Sequence, residues 1–272
     1  MDAPVEIVEP DVGRPFRAFA HAGKNFPTYW HRHGEYELTC GATGELRVAD
    51  VVEQVAGPRV VLWGPQIPHS WTEDRPFEHL VLQFRRDWLG MGFLATVGCE
   101  RLAALLDHAG SGLVVEGPAA ERITIAMRAL LPLGGVAAIG AMLACLDAFA
   151  AAPAREILVA GAATGVDQRL HRVTEWIDAN AGEDIALADA AAVLDMHPQA
   201  FARYFRRASG HSFVGYLGHV RVRNACLLLR DGGQRITEVA LEVGFGTVAN
   251  FNRTFLRLRR MSPSDYCKRL RH

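Results

Sequence analysis

The stretch from Ile236 to Tyr266, ITEVALEVGFGTVANFNRTFLRLRRMSPSDY, decides how this chain is read. Ile236, Val239, Ala240 and Val243 recur at helical spacing, Gly244 stops that helix, and Thr247 is placed to cap a second helix carrying Phe251 and Phe255. The second helix turns Asn252, Arg253 and Arg257 outward, while Phe251 and Phe255, four residues apart, share a buried side. Helix, glycine turn, helix is the arrangement that presents one helix to a major groove.

The chain carries a second copy of the pattern. Shifted by fifty residues, Ala190 falls on Ala240, Val193 on Val243, Phe201 on Phe251, Arg203 on Arg253, Phe205 on Phe255, Ser212 on Ser262 and Tyr216 on Tyr266. The shared signature is F-x-R-x-F. Between the copies, Phe213, Leu217, Val220, Asn224 and Leu227/Leu228 recur at helical spacing and predict a spacer helix. Two reading heads on one rod would meet successive major grooves roughly 34 Å apart on one DNA face.

These residues resemble the AraC/XylS family of transcription regulators over about the last hundred positions, from near Asp167, on the ALEVGF, NF-x-R-x-F and SP-x-x-Y runs. The resemblance implies two helix-turn-helix motifs joined by one helix. It departs at Arg260 and Asp195, where the family usually has glycine. In the first copy Gln199, Ala202, Arg203 and Arg206 read as outward; in the second the resemblance turns Val248, Ala249 and Asn252 toward the groove beside Arg253, and Arg206, Arg207, Arg257, Arg259 and Arg260 suit phosphate contacts. Arg203 suits a bidentate contact to guanine and Gln199 one to adenine; a phosphate contact or a salt bridge is the other reading of Arg203. The sparse polar set of the second copy suggests that it positions more than it specifies.

Net charge is −1 overall, which by itself argues against a nucleic-acid binder, but the charge is segregated. Asp167 to His272 holds 16 Lys+Arg against 11 Asp+Glu, a net of +5, and the rest holds 13 against 19, a net of −6. A basic domain can neutralise phosphates while an acidic one stays off the duplex. With 272 residues, two ordinary domains fit. No charge-free run of eighteen apolar residues and no basic-then-apolar leader is present, which predicts a cytoplasmic protein without a membrane partner. Five singly placed cysteines predict neither disulfides nor a zinc knuckle.

From about Arg14 to Phe84, short β segments alternate with Gly, Pro and Asp turns: LRV and VVEQV around Ala49-Asp50, then RVVLW and HLVLQF. This predicts an all-β sandwich or barrel. His31, His33 and Glu37 share one parity, so an extended strand would point them to one face, and His69 follows in PQIPHSW. The spacing H-x-H-x3-E-x6-G from His31 to Gly44, with P-x3-H from Pro65 to His69, resembles the two cupin motifs. In metal-binding cupins the matching residues hold a divalent ion such as Zn, Mn, Fe or Ni; imidazoles with a carboxylate suit such ions. The same four residues also suit hydrogen-bonding to a small-molecule effector, or holding the barrel together. Trp63, Trp71 and Trp30 are candidate walls of that pocket.

Past Arg85 the chain turns Ala/Leu-rich, and its periodicity predicts three helices, with Ile123, Met127, Leu130/Leu131, Ile139, Met142/Leu143 and Leu146 in stripes. Either they pack on the β domain or they form a homodimer contact, as the resemblance implies. The predicted class is α+β: a cupin-like β-barrel sensor at 1–98, a helical region at 99–152, a linker at 153–166 and an all-α double helix-turn-helix domain at 167–272. The favoured function is a sequence-specific transcription regulator, by family habit an activator engaging RNA polymerase, that binds double-stranded DNA under control of a small molecule or metal. The alternative is a metal-dependent dioxygenase or isomerase carrying a regulatory DNA-binding domain, for which His79 is the one candidate base.

Overall fold

Strand β5 (Arg59–Trp63) is an unbroken apolar run after Arg59, and all five of its residues are buried, because packed layers lie on both of its faces. The structure, a computed structural model, describes residues 3–8, 10–11, 14–23, 30–72, 77–90, 92–157, 168–231 and 234–270. It divides into a β unit, residues 8–167, and a helical unit made of residues 1–7 and 168–272.

In the β unit, β1 (Arg17–Gly23), β2 (Tyr36–Gly41), β3 (Gly44–Val48), β4 (Val51–Val55), β5, β6 (His69–Thr72) and β7 (Phe77–Phe84) are followed by α1 (Glu100–His108), β8 (Leu113–Glu116), α2 (Gly117–Leu130), α3 (Gly135–Ala150) and β9 (Arg155–Glu156). They make an antiparallel six-stranded sheet in the order β1-β7-β2-β5-β8-β9 and a three-stranded sheet, β4-β3-β6. Among the described residues no ladder closes either sheet, so a pair of packed sheets stands where the cupin resemblance implied a barrel. The β3–β4 hairpin turns at Ala49-Asp50, as the sequence predicts.

Strand parity sorts the core into layers. Leu38 and Cys40 of β2, Val60 and Leu62 of β5, and Leu80, Leu82 and Phe84 of β7 share one cluster with Ile123, Met127 and Leu130 of α2 and with Ala138, Met142, Leu146 and Phe149 of α3. On the other face, Val61, Trp63 and Val114 meet Leu46, Val48, Val55 and Trp71 of the smaller sheet. The apolar stripes of α2 and α3 are therefore buried within the chain, and their outer sides keep Ile125 and Val136 exposed. The region 99–152 is not a separate layer of helices, since β8 lies inside it and extends the large sheet. Most of the expected linker, 158–166, lies outside the described residues. Its start is sheet: Arg155 and Glu156 pair with β8, and the Ile157 N–H donates to the Gly112 carbonyl at 2.8 Å.

The helical unit contains α4 (Gln168–Asn180), α5 (Leu187–Ala192), α6 (Pro198–Ser209), α7 (Phe213–Asp231), α8 (Ile236–Glu242), α9 (Val248–Arg259) and α10 (Pro263–Leu270). The repeat is real but slips by one residue. α6 and α9 lie fifty apart, with N-caps His197 and Thr247 and left-handed C-caps Gly210 and Arg260. The preceding helices lie forty-nine apart: the Ala186 and Arg235 N–H groups donate to Asp189 and Glu238 three residues on, and the closing bonds run from Met196 to Ala191 and from Phe245 to Ala240. Val239, Ala240 and Val243 thus answer to Ala190, Ala191 and Leu194, not to the residues fifty before them, and the second turn is one residue longer. Gly244 is required there twice over, by φ +91 and because a Cβ would stand 2.5 Å from the Ala181 carbonyl oxygen.

The spacer helix α7 does not use one stripe. Phe213, Tyr216, Leu217 and Val220 close the core of the first copy, whereas Val222, Ala225, Cys226 and Leu229 close that of the second, and Leu227 is exposed. Residues 3–7, assigned by the sequence reading to the β domain, pack with the helical unit. Val5 sits in the core of the first copy, its N–H donates to the Ser209 carbonyl at 3.0 Å, and its carbonyl accepts from His211 Nε2 at 3.0 Å.

Candidate metal centre and nucleic-acid interface

His31, His33, Glu37 and His69 each offer a ligand atom, and these atoms all lie within 4.8 Å of one another. They do not arrive on one strand. Only Glu37 belongs to β2; His31 is held by a two-way bridge to His69, with N–O distances of 3.2 and 2.9 Å, and His33 lies in the turn leading into β2. All four are buried, between the sheets.

The hydrogen bonds fix what these groups present. His33 Nδ1 is 3.1 Å from the Glu35 carbonyl and His69 Nδ1 is 2.8 Å from the Ile67 carbonyl. A carbonyl only accepts, so both Nδ1 atoms carry hydrogen, and each ring turns its Nε2 toward Glu37. His33 Nε2 lies 2.9 Å from Glu37 Oε2, and His69 Nε2, which has no hydrogen-bond partner among the described residues, lies 3.6 Å from Glu37 Oε1. Burial lowers the His69 pKa against the pull of Glu37. At Glu37 burial opposes ionisation, yet hydrogen bonds and charge from His33 and His69 hold its pKa well below the usual carboxylate range. A buried carboxylate grouped with imidazole nitrogens is a donor set that suits a divalent cation. Backbone carbonyls on the far ring nitrogens are the support that orients metal-binding histidines.

Sequence reading missed the residues that hold the carboxylate. Gln83 Nε2 donates to Glu37 Oε2 at 2.8 Å, and the Thr39 hydroxyl donates to Oε1. The available signal was parity: Gln83 and His79 alternate on β7 with leucines facing the helices. Of the expected pocket walls, Trp63 stacks on His69 with ring centroids 5.0 Å apart and planes at 13°, and Trp71 meets His79 edge-on. Arg47 lies over the Trp30 ring at 4.7 Å. His79 is fully buried, and burial, with His21 nearby, lowers its pKa to about 4, far below what a general base working near neutral pH needs.

In the helical unit, Phe201 and Phe205 of α6 and Phe251 and Phe255 of α9 are buried, which turns the opposite faces outward. Gln199, Arg203, Arg206, Arg207, Ala249, Asn252, Arg253 and Arg257 are exposed, and Ala202 and Val248 are half-buried. The paired arginines differ. Arg253 donates to Asn250 Oδ1 at 3.1 Å, whereas Arg203 has no hydrogen bond or ion pair among the described residues, which removes the salt-bridge reading of Arg203. His197 Nδ1 accepts from the Gln199 N–H and Thr247 Oγ1 from the Asn250 N–H, so side-chain caps begin both outward helices.

Residues 190–269 match the family model described as "Helix-turn-helix domain". They form a helix-turn-helix domain. Over 111 residues the chain is 30% identical to the HTH-type transcriptional activator RhaS of Klebsiella pneumoniae (strain 342), covering 41% of this chain and 40% of that protein. It is 27% identical over 100 residues to an uncharacterised HTH-type transcriptional regulator of Staphylococcus aureus, covering 37% and 13%. The chain thus spans less than half the length of either relative. Among solved structures, the DNA-binding domain of AdpA, a global transcriptional factor in complex with a target DNA, matches at 28% identity over 38% of this chain and 93% of that one, with a TM-score of 0.36. Among the described residues no helix is long and apolar enough to cross a membrane.

Proposed function

We propose that the chain is a DNA-binding transcription regulator of the AraC/XylS type, whose helix-turn-helix domain binds double-stranded DNA through α6 and α9. The observation that carries this reading is the doubled motif: two outward helices, each begun by a side-chain cap and buried by a phenylalanine pair, on either side of a 19-residue helix. At 1.5 Å per residue that helix is about 28 Å long, near one helical turn of DNA. The similarity to a transcriptional activator supports activation, with RNA polymerase as partner. Homodimerisation through the outer sides of α2 and α3, and a cytoplasmic location, belong to the same reading.

The β unit is the sensor in this proposal. His31, His33, Glu37 and His69 hold a divalent cation, with Gln83 and Thr39 fixing the carboxylate, and the cation supplies positive charge and open positions for an oxygen ligand. Binding there shifts DNA affinity only by its unequal affinity for the two states, typically about 1–3 kcal/mol. Two measurements on the full chain test the two halves separately. DNA affinity should fall with salt on a negative log-log slope, and a flat slope refutes phosphate contact. Metal content by mass spectrometry, without chelator or histidine tag, should be near-stoichiometric in wild type and lost in His33→Ala; no metal in wild type leaves the cluster as effector lining or scaffold.

A further inference from the structure

The helical unit has two cores and one rod between them. On α7, Val220 is the last residue in the first core and Val222 the first in the second, so the division falls at Arg221. Each core grips one end of the helix. Ahead of the division α7 also carries Gly215 and Gly218, and glycine is a poor residue for a helix interior. A rod gripped at its ends and soft between them lets the two copies swing against one another.

Arg221 spans that division. Half-buried, it reaches the loop after α4, where Nε donates to the Ala181 carbonyl at 2.8 Å and Nη2 to the Glu183 carbonyl at 2.7 Å. Ala181 belongs to the first core. On the other side the guanidinium carbon stands 5.9 Å from the centre of the Phe245 ring, which belongs to the second. The copies also meet directly here. A Cβ on Gly244 would lie 2.5 Å from the Ala181 carbonyl oxygen and 2.9 Å from that of Gly182, and one on Gly182 would lie 3.1 Å from the Glu242 carbonyl oxygen. The carbonyls that Arg221 meets are those left over at the end of α4, so it caps a helix as well. A cap could come from any side; this one comes from the rod between the copies, and its planar fork fixes an angle as well as a distance.

We infer that Arg221 is a positioning residue for DNA binding: by bracing the loop after α4 against the turn before α9, it sets the separation and angle at which α6 and α9 meet successive major grooves. This rests on the DNA-binding reading above and adds to it that the protein accepts one spacing between its half-sites.

The probe is a duplex of about 30 base pairs selected from a random pool by the full wild-type chain, paired with the same duplex carrying one inserted base pair between the protected segments. The insertion moves the second half-site about 3.4 Å along the duplex and about a tenth of a turn around it. Wild type should bind the inserted duplex about ten- to a hundredfold more weakly. In Arg221→Met, which keeps the stem and loses the fork, that ratio should fall to about threefold or less. Loss of a helix cap alone weakens both duplexes equally, so an unchanged ratio overturns the proposal, as does a wild type that binds both duplexes alike. If Arg221→Met does not fold, Arg221→Lys, which has no fork, is read in the same way. If wild type selects no duplex, the DNA-binding reading fails by itself, and the brace is decided without DNA. Spin labels on Arg203→Cys and Asn252→Cys, in a chain with Cys99→Ser and Cys267→Ser, should then give a broader distance distribution once Arg221 is replaced; an unchanged distribution refutes the brace.

Discussion

Arg260→Gly should make the protein more stable and its DNA binding weaker. Arg260 caps α9 at φ +55 and ψ +18, with its N–H bonded to the Leu256 carbonyl at 3.0 Å, and that backbone bond survives the substitution. An L residue in this region costs about 1–2 kcal/mol. Glycine returns part of that gain through its freer unfolded chain, about 0.5–1 kcal/mol. Losing a cation from the helix C-terminus removes about 0.3 kcal/mol more. The balance is about 0.5 kcal/mol in favour of glycine, or about 2–3 °C in the melting of a unit this size. The equivalent cap in the first copy is the control. Gly210 has φ +77, and a Cβ there would lie 3.5 Å from Pro4 Cβ, in ordinary contact, so Gly210→Ala should lose about 1 kcal/mol from strain alone. Urea unfolding followed by circular dichroism reads both. If Arg260 meets a phosphate, the log-log salt slope of DNA binding should also shrink by about one in Arg260→Gly. A lower unfolding midpoint for Arg260→Gly refutes the strain argument, and an unchanged slope refutes the phosphate contact.

Val5→Ala removes a buried side chain from the core of the first copy and should cost the helical unit about 1–2 kcal/mol, raising amide exchange in α6 about five- to thirtyfold; unchanged exchange there would mean residues 3–7 add nothing to that core. Burial, with His211 and Arg257 nearby, lowers the His219 pKa to about 4 from 6.5. The unfolded chain therefore takes up a proton that the folded chain refuses, so the His219 contribution is complete above pH 6.5 and declines as pH falls toward 4. The urea midpoint of His219→Gln should vary less over that window than that of wild type, and parallel profiles would clear His219. Arg203→Ala should weaken specific binding by about 1–3 kcal/mol and relax one operator position; equal loss on specific and random DNA would confine Arg203 to phosphate.

The helix pairs were legible because their burial follows simple periods: Phe251 and Phe255 four apart, and Thr247 at a cap. The one-residue slip was not, since Ala190 and Ala191 are both small and buried, and either satisfies the spacing; only the backbone bonds to Ala191 and Ala240 decide. The cluster residues were visible as types and spacings, but the reason offered, one strand of one parity, is not how they meet. His31 reaches His69 through a bridge between segments thirty-eight positions apart, a tertiary relation that no local period encodes. Arg221 was invisible for a related reason: an arginine on a helix reads as surface until the carbonyls of Ala181 and Glu183 are known to lie beside it. The short strand β8 lay between alanine-rich runs that read as helix, and β9 at the start of a segment that reads as a linker.

The bond between His211 and Val5 spans 206 positions. Completing the first copy of the motif therefore means closing a loop longer than most whole domains, an event with a large entropic barrier if the intervening chain were a coil. Folding of the β unit lowers that barrier: about 160 residues contract from a coil with a radius of gyration of about 40 Å to a body of about 15 Å. The order of events follows from the connectivity. The β unit precedes residues 168–272 in the chain and folds first, residues 3–7 wait for a partner not yet synthesised, and the core of the first copy closes last, around Val5.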